Sequence, residues 1–500
     1  MRCLALAQAW TRRGGQSIFF LSDSLPALTE RIVAEGFRVV PLPAASAATD
    51  IQCVLDLGRE HATSWVVLDG YDFTANHQQL LLDAGLQVLA IDDYGQAASY
   101  PASIVLNHNV YASADQYGDV YKKRGSDTRL LLGSRYALLR DEFLPWAAWK
   151  RGIPAQGLRL LITLGGSEAV NRSLDVARAL SSFEDVEAAL LLGGTPESAS
   201  AMEATTAKVN PKFRVVRHTF DMPGWMAWAD IAIAGAGVTA SELCFMGLPS
   251  FLLVLADNQR PVAKRFAELG AALQCRSDGT FDANEFASAF RELASSTIRT
   301  KMSNNSRGLI DGLGADRVCA ALVGKELHLR SLRADDTDLL FHWANDPEIR
   351  AASFHSDPIP RAAHEHWFAA RLSDPASVFH IAEDAAGKPV GQVRYATQDG
   401  RATLSINVDP ARKGEGWGRE LLYFSTRTLF RENSIQAIDA FVRPNNTASL
   451  RLFEQADFKN TGNRTIDEQI AMHFVLTPPQ PAATQDAELR IALDSQVETE

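Results

Sequence analysis

No two of the five cysteines, Cys3, Cys53, Cys244, Cys275 and Cys319, stand at the spacing of a metal-ligand or redox pair. Their odd number and wide scatter exclude a disulfide-framed scaffold and point to a reducing cytoplasm. No cluster of histidine, cysteine and carboxylate marks a metal site, so none is expected. Nor does any apolar stretch reach the ~20 residues that a membrane helix requires. Basic residues are in the minority, 49 Lys and Arg against 60 Asp and Glu, a net charge of −11. That balance argues against a general nucleic-acid binder, which needs a basic face, but leaves room for a local basic pocket around a diphosphate. Internal repeats are absent. The opening Met1–Trp10 has the look of a signal peptide only briefly. Its apolar part is short, broken by Gln8, and followed by Arg12 and Arg13, so an amphipathic helix is the better expectation.

What is present is length and rhythm. At 500 residues the chain needs about three domains. Up to residue 325, short apolar runs alternate with helix-length stretches. Strands are expected at Ser17–Leu21, Val39–Leu42, Trp65–Leu68, Val88–Ile91, Ile104–Leu106, Leu158–Thr163, Ala188–Leu192, Phe213–Val216, Ile231–Ile233 and Ser250–Leu255. Continuous apolar runs of this kind belong to parallel sheets covered on both faces. These are too many strands for one ordinary sheet, and the Pro- and Gly-bearing segment Phe143–Gly157 is the natural break. The expected fold class is therefore α/β, with two doubly wound Rossmann-like domains at residues 1–150 and 151–325. Near Gly324–Glu326 the pattern changes, and Leu327–Arg330 begins an alternating strand of an α+β domain at 326–476. The tail 477–500, rich in Pro, Ala, Gln and acid, reads as disordered, with a short helix possible at Glu488–Leu493.

Two glycine-hinged turns carry the chemistry. In the first, the apolar run from Ile231 ends at Gly235-Ala236-Gly237 and opens a helix that contains Glu242. Glycines let the backbone approach a ligand, and the free N–H groups of a helix start attract phosphate. Glu242 is placed to accept hydrogen bonds from ribose hydroxyls. Ala256-Asp257-Asn258-Gln259 follows the next strand. On these residues alone three readings stay open. One is a nucleotide-sugar cradle. Another is a dinucleotide site, for which Asp257 stands about 20 residues on. The third is a tight turn with no ligand. A further glycine turn, Leu164-Gly165-Gly166-Ser167, follows the strand at Leu158–Thr163. Asp69, Asp92, Asp93 and Asn107-His108-Asn109 sit at strand ends, where open α/β sheets bind ligands. Taken singly, Asp92 and Asp93 are better explained as loop or cap groups, and His108 as a structural histidine.

Over residues 1–325 the stretches Met1-Arg2-Cys3-Leu4-Ala5-Leu6-Ala7, Leu68-Asp69-Gly70-Tyr71, Ile91-Asp92-Asp93, Leu106-Asn107-His108-Asn109, Gly133–Arg140, Leu164–Ser167 and Gly235–Gln259 together resemble the UDP-sugar hydrolase of the pseudaminic acid pathway. That family is a relative of the two-Rossmann (GT-B type) glycosyltransferases. The resemblance implies hydrolysis of UDP-2,4-diacetamido-2,4,6-trideoxy-β-L-altropyranose to UDP and free sugar. It puts Gly165, Gly166, Gly235 and Gly237 at the substrate, Glu242 at the ribose, and Asn258 with Gln259 near the sugar. In the family a strand and a Gly-x-Gly-His loop, whose histidine is the general base, precede the Met-Arg-Cys-Leu helix. This sequence opens at Met1, inside that motif, and the expectation is a start farther upstream.

The second turn is Val408-Asp409-Pro410-Ala411-Arg412-Lys413-Gly414-Glu415-Gly416-Trp417-Gly418. A strand enters a basic, glycine-rich loop that opens an amphipathic helix, a cradle for a pyrophosphate. Val408 offers backbone groups to an extended arm, and Arg412 and Lys413 add positive charge. With Arg443-Pro444-Asn445-Asn446 downstream, the region resembles the GNAT acetyltransferases. The resemblance implies acetyl-CoA as co-substrate, held by Val408, Arg412, Lys413, Gly414, Gly416, Gly418 and Asn445 or Asn446. Many members carry a tyrosine acid where Phe453 stands. Leu329-Arg330, Trp343–Arg350, His366-Trp367-Phe368 and Gly391-Gln392-Val393 resemble the branch that acetylates small amines, including the 4-amino group of a UDP-linked sugar. Glu348 and His366 are candidates to orient the amine, although surface or packing roles suit them better. The acetylated product would be the hydrolase's substrate, so the two halves form consecutive steps. Alternatives are a glycosyltransferase, a non-catalytic UDP-sugar module, and, remotely, a dinucleotide oxidoreductase.

Overall fold

The computed structural model describes residues 1–481 apart from 22–25, 43–46, 96, 98, 119–127, 157, 166–169, 182, 184–185, 193–195, 218, 276–280 and 375–377. Two compact units result, Met1–Cys319 and Ala320–Gln480. Among the described residues no helix is long and apolar enough to cross a membrane.

The first unit contains three parallel sheets. Strands β1 (Ile18–Leu21) and β2 (Arg38–Pro41) pair with each other. β3 (Trp65–Asp69), β4 (Gln87–Ile91), β5 (Ile104–Asn107) and β6 (Arg129–Leu132) form a four-stranded sheet in sequence order. β7 (Leu158–Thr163), β8 (Val186–Leu192), β9 (Phe213–Arg217), β10 (Ile231–Gly235), β11 (Ser250–Leu253) and β12 (Leu273–Gln274) form a six-stranded sheet in the order β12-β11-β10-β7-β8-β9. The chain runs outward from β7 through β8 and β9, then returns to the other side of β7 as β10. That reversal makes the β7/β10 boundary a topological switch point, where a crevice opens at the strand C-termini.

Alternate residues of this sheet seal two cores. Leu160, Ile162, Ile231, Ile233, Phe251 and Leu253 pack on one face with Phe286 and Phe290. Leu161, Ala232, Ala234 and Leu252 pack on the other with Trp225, Leu243 and Phe266. Burial on both faces is why these strands read as unbroken apolar runs. The segment expected as a break begins instead with a 3-10 helix, Asp141–Trp146. Its Phe143 and Trp146 are buried in the second core, so hydrophobic burial overrides the Pro and Gly signals there. Arg151 lies farther on. Its guanidinium donates to the carbonyls of Met226 (2.6 Å), Ala229 (2.5 Å) and Met246 (3.2 Å). These are carbonyls that the ends of helices Met222–Trp228 and Val238–Phe245 leave open.

The second unit is one mixed seven-stranded sheet. Its strands are β13 (His328–Ser331), β14 (Val378–Glu383), β15 (Pro389–Gln398), β16 (Arg401–Val408), β17 (Ala437–Val442), β18 (Lys459–Ile466) and β19 (Gln469–Leu476), ordered β13-β14-β15-β16-β17-β19-β18. Helices Thr337–Ala344 and Arg361–Ser373 cover one face through Leu340, Trp343 and Phe368. Helix Trp417–Glu432 covers the other through Trp417, Leu421 and Leu429.

Because Leu160 is fully buried in the central strand pair, Leu160→Ala should destabilise the first unit by roughly 3 kcal/mol. Urea unfolding followed by tryptophan fluorescence reads this loss. A change below about 1 kcal/mol would mean that the core can collapse around the cavity.

Candidate functional site

In the first unit the glycine turn lies at the switch point. Gly165, at φ +95°, follows β7, and Gly235 ends β10 beside it. A Cβ on Gly235 would meet the Leu255 side chain at 3.0 Å and the Leu164 carbonyl at 3.5 Å. Glycine there allows close approach of backbone to backbone. Gly237 caps helix Val238–Phe245 without a side chain, and among the described residues only Gln259 comes within 4 Å of the position its Cβ would take. Gly166 lies outside the described residues.

Gln259 holds the turn together. Its Oε1 accepts from the amides of Ala236 (3.2 Å) and Leu255 (3.1 Å), so this oxygen is committed to the backbone. Asn258 turns the other way. Its Nδ2 donates to the Tyr71 hydroxyl at 2.9 Å, while its Oδ1 is buried without a partner among the described residues. Glu242 is 4% exposed and accepts from Arg140 at 2.7 Å. Arg140 also pairs with Glu142, and Glu142 with Arg31. Asp257 is exposed and paired with Arg260.

Tyr71 leads to a second cluster at the ends of β3, β4 and β5. Its hydroxyl donates to Asp93 Oδ2 at 2.8 Å. Arg2 bridges Asp69 (2.7 Å) and Asp93 (2.6 Å), and the Cys3 thiol donates to Asp69 at 3.2 Å. Burial opposes ionisation of Asp93, but the hydrogen bonds and charge of Arg2 outweigh it and hold the carboxyl below the usual range. Burial, then the bond to Asp93, pushes the Tyr71 phenol up to about 12. Asp92 is a structural group: it accepts from Gly95 N–H and from the Tyr100 and Tyr117 hydroxyls, each within 2.6 Å. Asn107 and Asn109 bind the Asp93 carbonyl. His108 is 3% exposed, with no hydrogen-bond partner on either ring nitrogen among the described residues. Sequence reasoning named the acidic strand ends but missed Arg2, Tyr71 and Arg140 as partners, because Tyr71–Asp93, Arg2–Asp69, Arg140–Glu242 and Tyr71–Asn258 lie 22, 67, 102 and 187 residues apart.

In the second unit the decisive feature is an interrupted strand pair. β16 and β17 run parallel and pair only at Arg401↔Ala437, Ala402↔Ile438 and Thr403↔Asp439. Beyond these, β16 from Leu404 to Val408 and β17 from Ala440 diverge, leaving an open edge of backbone groups on β16. The loop at its end turns through Gly414 (φ +78°) and Gly416 (φ +90°) into helix Trp417–Glu432. A Cβ at either glycine would meet nothing within 4 Å; what demands glycine is the left-handed backbone. The turn is open, and its helix-start amides are not capped by a side chain. Gly418 is different: its Cβ would touch Leu452 and Val408 at 3.4 Å, so it keeps the helix close to the strand.

The two basic residues of the loop are already paired. Arg412 bonds Asp384 (3.2 Å) and Glu415 (3.1 Å), and lies over the Trp417 ring. Lys413 bonds Asp346 (3.4 Å) and Glu348 (2.8 Å). Glu348 is thus an exposed partner of Lys413, and His366 is exposed on helix Arg361–Ser373. Asn446 caps helix Thr447–Gln455 through Ser449 N–H, while Asn445 is exposed. Phe453 is core, packed between Phe458 and Phe474.

Residues 326–459 match the family model of the acetyltransferase (GNAT) domain. This second unit is a GNAT-like domain following an α/β region of parallel sheets. The spore coat polysaccharide biosynthesis protein SpsG of Bacillus subtilis (strain 168) is 27% identical over 211 residues, 41% of this chain and 62% of that protein. A UDP-N-acetylglucosamine--N-acetylmuramyl-(pentapeptide) pyrophosphoryl-undecaprenol N-acetylglucosamine transferase of Acidithiobacillus ferrooxidans (strain ATCC 53993 / BNL-5-31) is 30% identical over 173 residues, 33% of this chain and 48% of that one. The chain therefore spans about half to three fifths of the length of these curated relatives. A spermidine N-acetyltransferase from Vibrio cholerae, solved in complex with CoA and spermine, aligns with 31% of this chain and 97% of its own at 20% identity and TM-score 0.29.

Burial, followed by the charge of Arg2, pushes the His108 imidazole down to about 4 from 6.5, against the opposing pull of Asp93 and Asp69. Between those values the unfolded chain binds a proton that the folded chain refuses. The associated stability is thus full above pH 6.5 and is lost as the pH falls toward 4, by about 3 kcal/mol in all. Chemical denaturation of the wild type and of His108→Leu across this range should show the slope flattened in the variant. Parallel slopes would contradict the buried neutral imidazole.

Proposed function

We propose that the chain is a two-site enzyme of nucleotide-sugar metabolism. The first unit hydrolyses UDP-2,4-diacetamido-2,4,6-trideoxy-β-L-altropyranose to UDP and free sugar. The second transfers the acetyl group of acetyl-CoA to the 4-amino group of the UDP-linked precursor, in the pathway to pseudaminic acid. One recurring observation carries the reading: each unit sets a glycine-hinged turn and a helix start without a side-chain cap after a strand, which is the geometry that receives a diphosphate.

In the first unit, the amides around Gly235 and Gly237 would face the diphosphate, with Gly165 beside them at the end of β7. Glu242 would accept from the ribose hydroxyls, exchanging or sharing its bond to Arg140. Asn258, whose Oδ1 lacks a partner among the described residues, would bond the sugar, with Gln259 fixing the turn. Helix-start dipoles stabilise the negative charge that grows on the leaving diphosphate. The likeness to a transferase whose name includes UDP-N-acetylglucosamine supports a UDP-linked sugar here. In the second unit, the open edge of β16 from Leu404 to Val408 would pair with the amide arm of the coenzyme. The turn at Gly414 and Gly416 would hold its pyrophosphate, with Gly418 keeping the helix close, Asn445 beside the arm, and Arg412 and Lys413 giving up surface partners to reach phosphate. The acetyltransferase family match supports acetyl-CoA as donor. A cytoplasmic location suits both substrates.

A transferase reading of the first unit is favoured by one feature, a cleft of about 430 Å³ behind Tyr71, lined by Leu68, Gln78, Ala90 and Asp92 among others. It falls within the range of small-molecule sites and would receive an acceptor.

Incubation with the UDP-diacetamido sugar should release UDP with free sugar as co-product; a glycoside product instead would select the transferase reading. With acetyl-CoA and the UDP-4-amino sugar, free thiol should accumulate. Gly416→Val, which forces a β-branched residue into the left-handed region, should lower thiol release at least about 100-fold while leaving UDP release unchanged. Absence of thiol with any UDP-amino sugar would overturn the acetyltransferase assignment.

A further inference from the structure

Register in the second unit sorts the side chains of its sheet between two faces. Val393, Tyr395, Leu404, Ile406 and Val408 pack toward helix Trp417–Glu432. Ile381 and Phe379 pack on the opposite face, toward helices Thr337–Ala344 and Arg361–Ser373. Gln392 stands directly across from Ile381 on one side and Asn407 on the other, and Arg394 across from Phe379 and Ser405. Partners facing each other in an antiparallel ladder share a face. Gln392, Arg394, Ser405 and Asn407 therefore form a polar strip on the face away from helix Trp417–Glu432, directly beside the divergence of β16 from β17.

Within this strip Gln392 is anomalous. It is 5% exposed, and its Oε1 has no hydrogen-bond partner among the described residues. Buried carboxamide oxygens are paired in the great majority of native structures, and an unpaired one is a cost to the fold. Such a cost persists where the missing partner arrives with a ligand. The neighbouring charges define what that ligand carries. Arg394 rests on the Trp367 ring, 5.2 Å from its centroid, with no carboxylate in ion-pair reach among the described residues. Asp439, the carboxylate across from Thr403, is already held by Arg401 at 2.8 Å and by His473 at 2.8 Å. Among the described residues the strip thus offers an acceptor without a hydrogen-bond partner and a cation without an ion-pair partner, and no free acid to attract a polyamine.

We propose that Gln392 is the positioning residue for the acyl acceptor, receiving a hydrogen bond from the acceptor beside its reacting amine, while Arg394 faces an anionic group on the same molecule. This rests on the acetyltransferase reading above and deepens it: the acceptor is an amino sugar on an acidic carrier such as a nucleoside diphosphate. If the donor arm lies along the open edge of β16 with its pyrophosphate at the Gly416 turn, helix Trp417–Glu432 blocks one face. The amine must then approach from the face of Gln392. Attack of its nitrogen on the thioester carbonyl forms the amide and expels the thiolate, and the proton lost from nitrogen goes to that thiolate through solvent.

The test compares the full chain with Gln392→Leu and Arg394→Met, using thiol release with the UDP-4-amino sugar as the varied acceptor. Gln392→Leu should raise the acceptor KM about tenfold or more, with the acetyl-CoA KM within about twofold. Its thermal midpoint should hold or rise, because an unpaired buried amide has been removed. Arg394→Met should raise KM for the UDP-linked acceptor but not for the methyl glycoside of the same amino sugar. An acceptor KM unchanged in Gln392→Leu, or a parallel rise in both KM values, overturns the proposal. Should the wild type ignore the UDP-amino sugar but acetylate another amine, the substrate reading fails, and the effect of Gln392→Leu on that amine's KM decides the pocket separately. An enzyme inert toward every amine overturns both.

Discussion

When a buried strand turns directly into a helix, the first amide hydrogens of that helix lose their intrahelical partners. They must be satisfied by a capping side chain, by water or by a ligand. In both units of this chain a glycine occupies the cap, Gly237 in one and Gly416 in the other, and neither supplies a side-chain oxygen. Much else in the two sites can be read as support for these open turns. The switch in strand order puts Gly165 beside Gly235. Gln259 spends its oxygen pinning the first turn. Gly418 lets the second helix lie against Val408.

The charges around these turns are mostly spoken for. Arg140 pairs with Glu242, Arg2 bridges Asp69 and Asp93, and the acids of the second unit hold Arg412 and Lys413. A buried charge without a partner is expensive, so ions pair with whatever is within reach. Ligand binding at such places exchanges partners and does not fill bare charge. Asn258 Oδ1, the His108 ring nitrogens and Gln392 Oε1 are among the buried polar atoms that find no hydrogen-bond partner among the described residues. Two of them border the proposed substrate positions.

The fold was legible where burial is two-sided. The run Leu158–Thr163 was expected as a strand and is one, residue for residue, and β3, β4 and β5 differ by a residue or so at their ends. β6 (Arg129–Leu132) and the two-residue β12 were missed, and β12 is too short to show a pattern. The Pro and Gly content of 143–157 read as a break, yet the aromatics there are core. The glycine turns announced themselves, because a left-handed backbone or a close approach leaves a residue-type signature.

The sequence by itself determined which segments turn without side chains and which strands are buried on both faces. Those are local demands of backbone sterics and of water. Only the tertiary structure decided which side chains meet. Asn258 finds Tyr71 across 187 residues, Arg140 finds Glu242 across 102, and Gln392 finds no partner for its oxygen among the described residues. Such pairings depend on where distant strands end in space, and no local pattern in the chain encodes that.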